Sequence, residues 1–482
     1  MIRPRPTLLA AALAAALTAS LSGCALGPDY VRPAEQAGLP AAYTEQAPGA
    51  SADTPALAGR WWSLFGDAQL DALVDQALAS SPDARSAAAR VEEADALLRQ
   101  VDAALLPQVD ANAGVSRSRI ILPNANPPTG LVRNTDKLGL STSFELDIWG
   151  KLRRASEAAR AQALGTRYTS ETVALSLAAS VTQAYLNLRA IDAQLLAVRD
   201  SVSSQARSTQ LTRVRFDSGY VSQLDVQQAE GALATYTAAQ LQLEKSRALS
   251  ENLIGLLVGQ PGLRLPAGDL AKLPVPPVPP TGLPSALLEG RPDVRKAETD
   301  LIAANAKIGV AKAALFPSIT LTGSYGRESR ELSDLFSPAA MVWSVGAGLT
   351  QPIFEGGRLR AQVDAVSAQQ KQSLEAYRKT VQTAFREVND ALAAVRVNGE
   401  AEDAYTTARD AAQKALKLAQ ARYDSGYSPY LEVLTAQRTA NDATVAWVQN
   451  RQARLSSAVD LFKALGGGWK APAQLAGGSP PR

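Results

Sequence analysis

The chain contains no histidine and only one cysteine. Without histidine there is no Ser-His-Asp triad and no imidazole for a metal site. Carboxylate or lysine chemistry stays formally open, but no glycine-rich phosphate loop and no acidic metal cluster is present. The chain is therefore expected not to be an enzyme and to need no cofactor and no metal. A single cysteine cannot form an intramolecular disulfide, so stability must come from packing. Charge of one sign is also lacking, with 49 basic residues against 46 acidic ones. Nothing in that balance suggests nucleic acid. Beyond the amino terminus no run of about 18 apolar residues occurs, so any passage through a bilayer would have to be made by β-strands in a closed barrel.

What is present begins with an address. Arg3 and Arg5 precede an apolar run from Leu8 to Leu21 that ends in Leu21-Ser22-Gly23-Cys24. A basic start, a short apolar stretch and a small-residue cleavage site mark residues 1–23 as a secretory signal peptide. Cleavage there would leave the sole cysteine, Cys24, as the first residue, and the four residues resemble a bacterial lipobox. Cys24 is thus the candidate lipidation site; the alternative is a buried free thiol. Ala25 and Leu26 follow, without the aspartate that retains lipoproteins in the inner membrane, so the expected location is the outer membrane, lipid-anchored.

The rest of the chain is written twice. Pro82-Asp83-Ala84-Arg85 returns as Pro292-Asp293-Val294-Arg295, Ala103 to Pro107 returns as Ala313 to Pro317, and Phe216 to Tyr220 returns as Tyr423 to Tyr427. The offsets are 292 − 82 = 210, 313 − 103 = 210 and 423 − 216 = 207. An offset this long lies beyond the range of about 20 to 50 residues of solenoid repeats and indicates one duplication of a whole unit.

Each copy holds two candidate strands. From Leu138 to Ile148, Leu138, Leu140, Thr142, Phe144, Leu146 and Ile148 alternate with Ser141, Ser143, Glu145 and Asp147. From Trp343 to Ile353, Trp343, Val345, Ala347, Leu349 and Ile353 alternate with Ser344, Gly346, Gly348 and Thr350. This period of two predicts strands with one apolar and one polar face. Weaker candidates precede them at 108–119 and 318–327. Strands of about 10 residues can cross a bilayer when tilted; the alternative is a half-buried soluble sheet. Four strands cannot close a useful barrel, so a membrane role requires several chains.

Between the strands, Lys151 to Phe216 and Gly357 to Tyr423 contain no proline and are rich in helix formers. At 1.5 Å per residue, a helix over residues 151–216 would extend about 100 Å. Leu177, Val181, Ala184, Leu188, Ile191, Leu195, Val198 and Val202 follow heptad spacing, and Val381, Phe385, Val388, Leu392 and Val395 repeat it. A two-stranded coiled-coil spacer and a multi-helix wall both fit this seam. Gly219 and Gly426 are placed to end these helices in left-handed turns. Ser222 with Asp225 makes a capping-box start for the next helix, and Ser428 with Pro429 is expected to begin its counterpart.

These motifs together resemble the outer membrane factors of the TolC and OprM type, in the NodT-like lipoprotein branch. The residues that carry the resemblance are the lipobox with Gly27-Pro28-Asp29-Tyr30, Trp61-Trp62 with Phe65-Gly66-Asp67, Arg291-Pro292-Asp293-Val294-Arg295, Phe316-Pro317 and the paired turns. The resemblance implies an α+β membrane protein: a TolC-like homotrimer whose 12-stranded β-barrel, four strands per chain, continues into a long α-helical periplasmic barrel. The implied division is a lipidated segment at 24–66, a first repeat at 67–273, a Pro-rich linker at 274–284, a second repeat at 285–465 and a flexible tail at 466–482. The implied function is the outer-membrane channel of a tripartite efflux or export system, a passive conduit recruited by a periplasmic membrane-fusion adaptor and an inner-membrane pump of the resistance-nodulation-division type. Its gate would lie at the helix turns. There Asp225 and Glu432 match acidic positions near the family's aperture, Leu431 matches an apolar constriction, and Tyr423 matches a tyrosine that latches helices. Thr435 stands where a second acidic position is common. Read from the residues alone, Asp225 is a capping residue and Glu432 an exposed acid favoured by the helix dipole. The rival to the channel is a structural coiled-coil outer-membrane lipoprotein without transport activity.

Overall fold

The computed structural model describes residues 25–33, 40, 42–45, 59–122, 129–279 and 287–469. The signal segment 1–23, the candidate lipidation site Cys24, and residues 280–286, which include the end of the Pro-rich linker, lie outside the described residues. A 3-10 turn at Trp61–Phe65 leads into helices α1 (Ala68–Ser80) and α2 (Pro82–Ala103), strands β1 (Gln108–Leu122) and β2 (Thr129–Leu146), and helices α3 (Lys151–Asp217) and α4 (Gln223–Leu257). The order then returns as α5 (Pro292–Ala313), β3 (Ser318–Ser329), β4 (Met341–Thr350), α6 (Arg358–Asp424) and α7 (Tyr430–Ala464). Counterpart helices match in length: 22 residues in α2 and α5, 67 in α3 and α6, and 35 in α4 and α7. The duplication is thus reproduced in the three helices of each copy from Pro82 and from Pro292 onward.

The chain forms two compact units, and α2, α3, α5 and α6 each contribute residues to both. The first unit draws its described residues from 1–33, 91–166 and 297–377. It contains a four-stranded antiparallel sheet in the order β1-β2-β3-β4. Leu140 pairs with Ala111 and with Tyr325, and Tyr325 pairs with Trp343, so the apolar positions of all four strands share one face. On the other face Ser141 lies opposite Asp110 and Ser324, and Ser324 opposite Ser344. Both faces of β4 are exposed along its 10 residues.

The boundaries of β2 and β4 differ from the sequence expectation. β2 starts at Thr129 rather than Leu138, because the hairpin register carries pairing through Arg133, Asn134 and Asp136, where the alternation is broken. β2 and β4 also stop short, at Leu146 and Thr350, which leaves Ile148 and Ile353 outside the strands. Pro352 has no N–H to continue a ladder, and Asp147 instead accepts from the amides of Leu152 and Arg153 at the start of α3.

Residues 25–33 are strapped onto this unit. Leu26 N–H donates to Trp149 O (3.0 Å), Asn305 to Pro28 O (2.7 Å), and Arg32 clamps Glu298 with two bonds of 2.6 and 2.8 Å. The strap runs close because glycines meet there: a Cβ on Gly309 would lie 2.6 Å from Leu26 O. At the sheet-to-helix junction the Trp149 ring lies 4.9 Å from Phe316 and its N–H donates to Pro317 O at 2.8 Å.

The second unit, with residues from 34–90, 167–296 and 378–482, is helical. Its core gathers Trp61, Phe65, Leu70 and Val74 against Tyr185, Leu188, Ile254 and Phe462. The heptad seam of α3 is buried from Leu177 to Val198, as its spacing requires. Beside it lies a buried ion network. Asp192, 2% exposed, accepts from Arg189 (2.9 Å), Arg247 (2.7 Å) and the Gly268 amide (2.9 Å). Arg247 also pairs with Glu251 at 2.8 Å. Tyr185 receives Arg189 (2.8 Å) and donates to Asp67 (2.5 Å), the N-cap of α1. Burial, reinforced by Asp67, pushes the Tyr185 hydroxyl above its ordinary pKa and keeps it a donor. Residues 466–469 follow α7 directly, and Trp469 packs edge-on to Tyr168 at 5.6 Å.

Candidate functional site

All the gate candidates lie in the second unit, at the two turns α3–α4 and α6–α7. The turns share one backbone solution. Gly219 N–H bonds to Phe216 O and Tyr220 N–H to Arg215 O, both at 2.8 Å; Gly426 N–H bonds to Tyr423 O and Tyr427 N–H to Arg422 O, at 3.0 and 2.9 Å. Gly219 has φ +76° and Gly426 φ +78°, the left-handed region where a side chain is disfavoured.

Beyond the glycines the two turns diverge. Ser222 caps α4 in a reciprocal box: its hydroxyl receives the Asp225 amide (3.3 Å), and the Asp225 carboxylate receives the Ser222 amide (3.0 Å) and hydroxyl (2.7 Å). The carboxylate of Asp225 is therefore engaged within its own turn. At an offset of 207 the position equivalent to Ser222 is Pro429 (429 − 222 = 207), which carries no hydroxyl. Pro429 is the N-cap of α7 and makes no side-chain cap, while the Ser428 hydroxyl is buried with no hydrogen-bond partner among the described residues. The expected Ser428 cap is thus absent: Pro429 takes the N-cap position and α7 begins one residue later, at Tyr430.

Glu432, the counterpart of Asp225, has no cap to close and faces Arg422 on α6 at 3.7 Å. Leu431 beside it is 57% exposed, and the Thr435 hydroxyl donates back to Leu431 O at 2.8 Å. Leu418, Ala421, Arg422, Leu431, Glu432 and Thr435 line one groove of about 980 Å³ between α6 and α7. The structure thus brings Leu431, Glu432 and Thr435 together.

Tyr423 packs behind them. Its ring lies 5.3 Å from that of Tyr430, and the Arg215 guanidinium sits 4.9 Å above its centroid. Its hydroxyl is buried with no hydrogen-bond partner among the described residues. Tyr430 is the anchored member of the pair, receiving Gln205 at 2.7 Å and Ser208 at 3.2 Å. Ala229 and Val433 complete this small core. Tyr430, Gln205, Arg215 and Arg422 were not singled out from the sequence. The two arginines had a visible signal, since each stands immediately before the repeated aromatic-Asp-Ser-Gly-Tyr run, and 422 − 215 = 207.

Because Ser222 holds the start of α4, Ser222→Ala should cost about 1 kcal/mol there. Amide exchange at residues 224–226 would quicken severalfold while exchange in the matching turn of α7, which has no side-chain cap, stays unchanged.

No helix among the described residues is long and apolar enough to cross a membrane, and among them no group of acids or cysteine could hold a metal ion. A family model described as outer membrane efflux protein matches residues 73–260 and 283–467. The toluene efflux pump outer membrane protein TtgF of Pseudomonas putida is 40% identical over 466 residues, covering 95% of this chain and 96% of that one. Among solved structures, the outer-membrane channel OprN superposes with a TM-score of 0.85 at 30% identity, covering 92% of this chain and all of that one. The open state of the MtrE outer membrane channel of Neisseria gonorrhoeae gives 0.82 at 31% identity, covering 93% and 99%.

Proposed function

This chain belongs to the outer membrane efflux protein family and is the outer-membrane channel of a tripartite efflux system, and from that premise we propose a trimeric, lipid-anchored conduit gated at its helix turns. The observation that carries the conduit is the sheet: Leu140, Tyr325, Trp343 and their apolar neighbours on one face, serines and threonines on the other, and exposure along both edge strands. Such a sheet is complete only when joined to further strands with its apolar face in lipid. A coiled-coil spacer would have no use for it. Components of efflux pumps work with an adaptor and an inner-membrane pump, and the pump proposed here is of the resistance-nodulation-division type. The cargo proposed is small organic molecules, by likeness to the toluene efflux relative.

Anchoring at Cys24 is supported by the strap, since Ala25 lies against Gly150 at the junction between β2 and α3. Acyl chains on Cys24 would then enter the bilayer beside the sheet. The gate is proposed at Glu432, Leu431 and Thr435, with Tyr423 as the latch behind them and Asp225 supporting the neighbouring turn. Three carboxylates close to a common axis repel one another, and Arg422 moderates that repulsion in each chain. Opening follows when an adaptor binds the open arrangement better than the closed one.

The test is conductance in planar bilayers. Glu432→Ala frees Arg422, and since an exposed pair is worth at most about 1 kcal/mol the closed-state leak should rise no more than about fivefold. Asp225→Ala loosens only a cap and should raise it less. Unchanged leak in both variants would remove the two carboxylates from the gate.

A further inference from the structure

The basic residues of the four strands all stand in the half of the sheet away from the helices: Arg117 and Arg119 on β1, Arg133 and Lys137 on β2, and Arg327 on β3. The pairing register sorts them by face. Arg133 lies opposite Ser118 and Lys137 opposite Glu328, on the polar face. Arg117 and Arg119 lie opposite Asn134 and Val132, and Arg327 opposite Leu138, on the face that carries Leu140, Tyr325 and Trp343. On the polar face the charge is closed within the chain, since Glu328 holds Arg133 at 3.3 Å and Lys137 at 3.1 Å. On the apolar face it is left open. Among the described residues no carboxylate lies within ion-pair distance of Arg117, Arg119 or Arg327. Asp136, 6% exposed, is the one acid that the strands place on that face, so three cations against one anion leave 3 − 1 = 2 positive charges there. The hairpin segment 123–128 holds no charged residue, and Glu331 and Asp334, the acids between β3 and β4, pair with none of the three arginines.

Aromatic rings set the depth of these cations. At the helix end of the sheet Trp149 packs on Phe316. Further along β3, Tyr325 stands opposite Trp343, and the two are 62% and 72% exposed. From Phe316 to Tyr325 is 325 − 316 = 9 residues, which at ~3.3 Å each and a tilt of ~40° spans ~23 Å. That matches the apolar band of about 25 Å that aromatic girdles flank in a transmembrane barrel. Arg327 is the next residue outward from Tyr325 on that face, and Arg117 and Arg119 lie further out on β1. With the apolar face in lipid, as the channel reading above requires, the three guanidiniums stand at the level of the outer-leaflet headgroups.

We propose that Arg117, Arg119 and Arg327 form a binding site for the phosphates of lipopolysaccharide, the phosphorylated glycolipid of the outer leaflet. Two of the three side chains are held in place by the sheet. Arg119 lies across β2 at Gly130, where a Cβ would collide with its guanidinium. Arg327 donates to Ser337 O at 3.0 Å and sits 5.9 Å above the Phe336 ring. Each guanidinium has five N–H donors, so most remain for a ligand. The planar fork matches phosphate with two parallel bonds, and water is scarce beside the lipid, which strengthens them. Arg117 and Arg119 are ~7 Å apart along β1, with Arg327 two strands, or ~10 Å, to the side. That spread fits a headgroup with several phosphates rather than a single ion. The closed ion pairs of the polar face offer no such site.

Lipid retention tests the site. The full-length protein is equilibrated in detergent with lipopolysaccharide, or with the same lipid chemically stripped of its phosphates, and the lipid held after washing is measured by mass spectrometry. The parent should retain the intact lipid more than about tenfold better than the stripped one. The variant Arg117→Gln/Arg119→Gln/Arg327→Gln should lose that preference, and Arg117→Lys/Arg119→Lys/Arg327→Lys should keep part of it, as charge without the fork allows. Arg133→Gln/Lys137→Gln, on the polar face, should retain the lipid as the parent does. Equal retention of both lipids by the parent overturns the site without any variant having to fold. A glutamine variant that assembles and keeps the preference, or a polar-face variant that loses it, overturns it as well. A parent that conducts in planar bilayers but does not distinguish the two lipids overturns this site alone. One that neither inserts nor conducts overturns the channel reading and the site with it.

Discussion

Asp192→Ala is expected to lower the stability of the helical unit by about 3–5 kcal/mol, the cost of removing one partner from a buried ion pair. The Asp192 side chain is 2% exposed and holds two guanidiniums, those of Arg189 and Arg247. Without it Arg189 keeps, among the described residues, the neutral partners Pro266 O, Gln69 and Tyr185, and Arg247 keeps Glu251 and Leu265 O. The Gly268 amide, which donates to Asp192 at 2.9 Å, also loses its acceptor. Asp192→Asn retains an oxygen for that amide but not the charge, and should fall between the parent and the alanine variant. The readout is the thermal midpoint of helix loss in detergent together with the yield of folded protein in membranes. A midpoint within a degree or two of the parent for Asp192→Ala would show that the two arginines find water or other acceptors, and the network would lose its structural role.

The second large effect is expected at the turns. Tyr430 is 2% exposed, packs at a tilt against the Tyr423 ring and receives two hydrogen bonds, so Tyr430→Ala should cost about 3–5 kcal/mol of local packing. If even 1.4 kcal/mol of that loss falls on the closed arrangement alone, leak rises tenfold. Tyr430→Phe keeps the ring and removes only the acceptor. Gln205 still has Ala229 O at 3.1 Å, so this change should cost about 1 kcal/mol and leave leak near the parent value. The pair separates two roles. A large fall in thermal midpoint without added leak in Tyr430→Ala would make the cluster a structural core and move the gate away from it.

Much of this architecture is legible in the residues because breakers punctuate it. Helices expected over the proline-free stretches end within one residue of where they are found, at Asp217 and Asp424, because Gly219 and Gly426 stop them in a conformation other residues resist. Strand pairing is less legible. The outer part of β2 has no alternation to announce it and is held by its neighbours, with Arg133 and Lys137 both reaching Glu328 on β3. At the turns the sequence shows two acids at equivalent positions and suggests one role for both. Their partners separate them: Ser222 is available to Asp225, and proline replaces it for Glu432. The aromatic core at the turns is hidden for another reason. Tyr430 corresponds to Gln223 in the first copy, so the duplication gives no hint that one of the two turns carries a buried ring.

The matched helix lengths, 67 with 67 and 35 with 35, restrict how this chain can change over evolutionary time. An insertion of one residue in α3 alone would rotate everything beyond it by about 100° and advance it by 1.5 Å, turning the seam away from its partners. Seven residues would restore the facing but still leave one turn about 10 Å out of step with its twin. A lineage can therefore lengthen or shorten these helices only by near-whole heptads, taken in both copies and in both arms of each. Substitution is free to separate the two repeats, as Ser222 and Pro429 show, while length must move in concert.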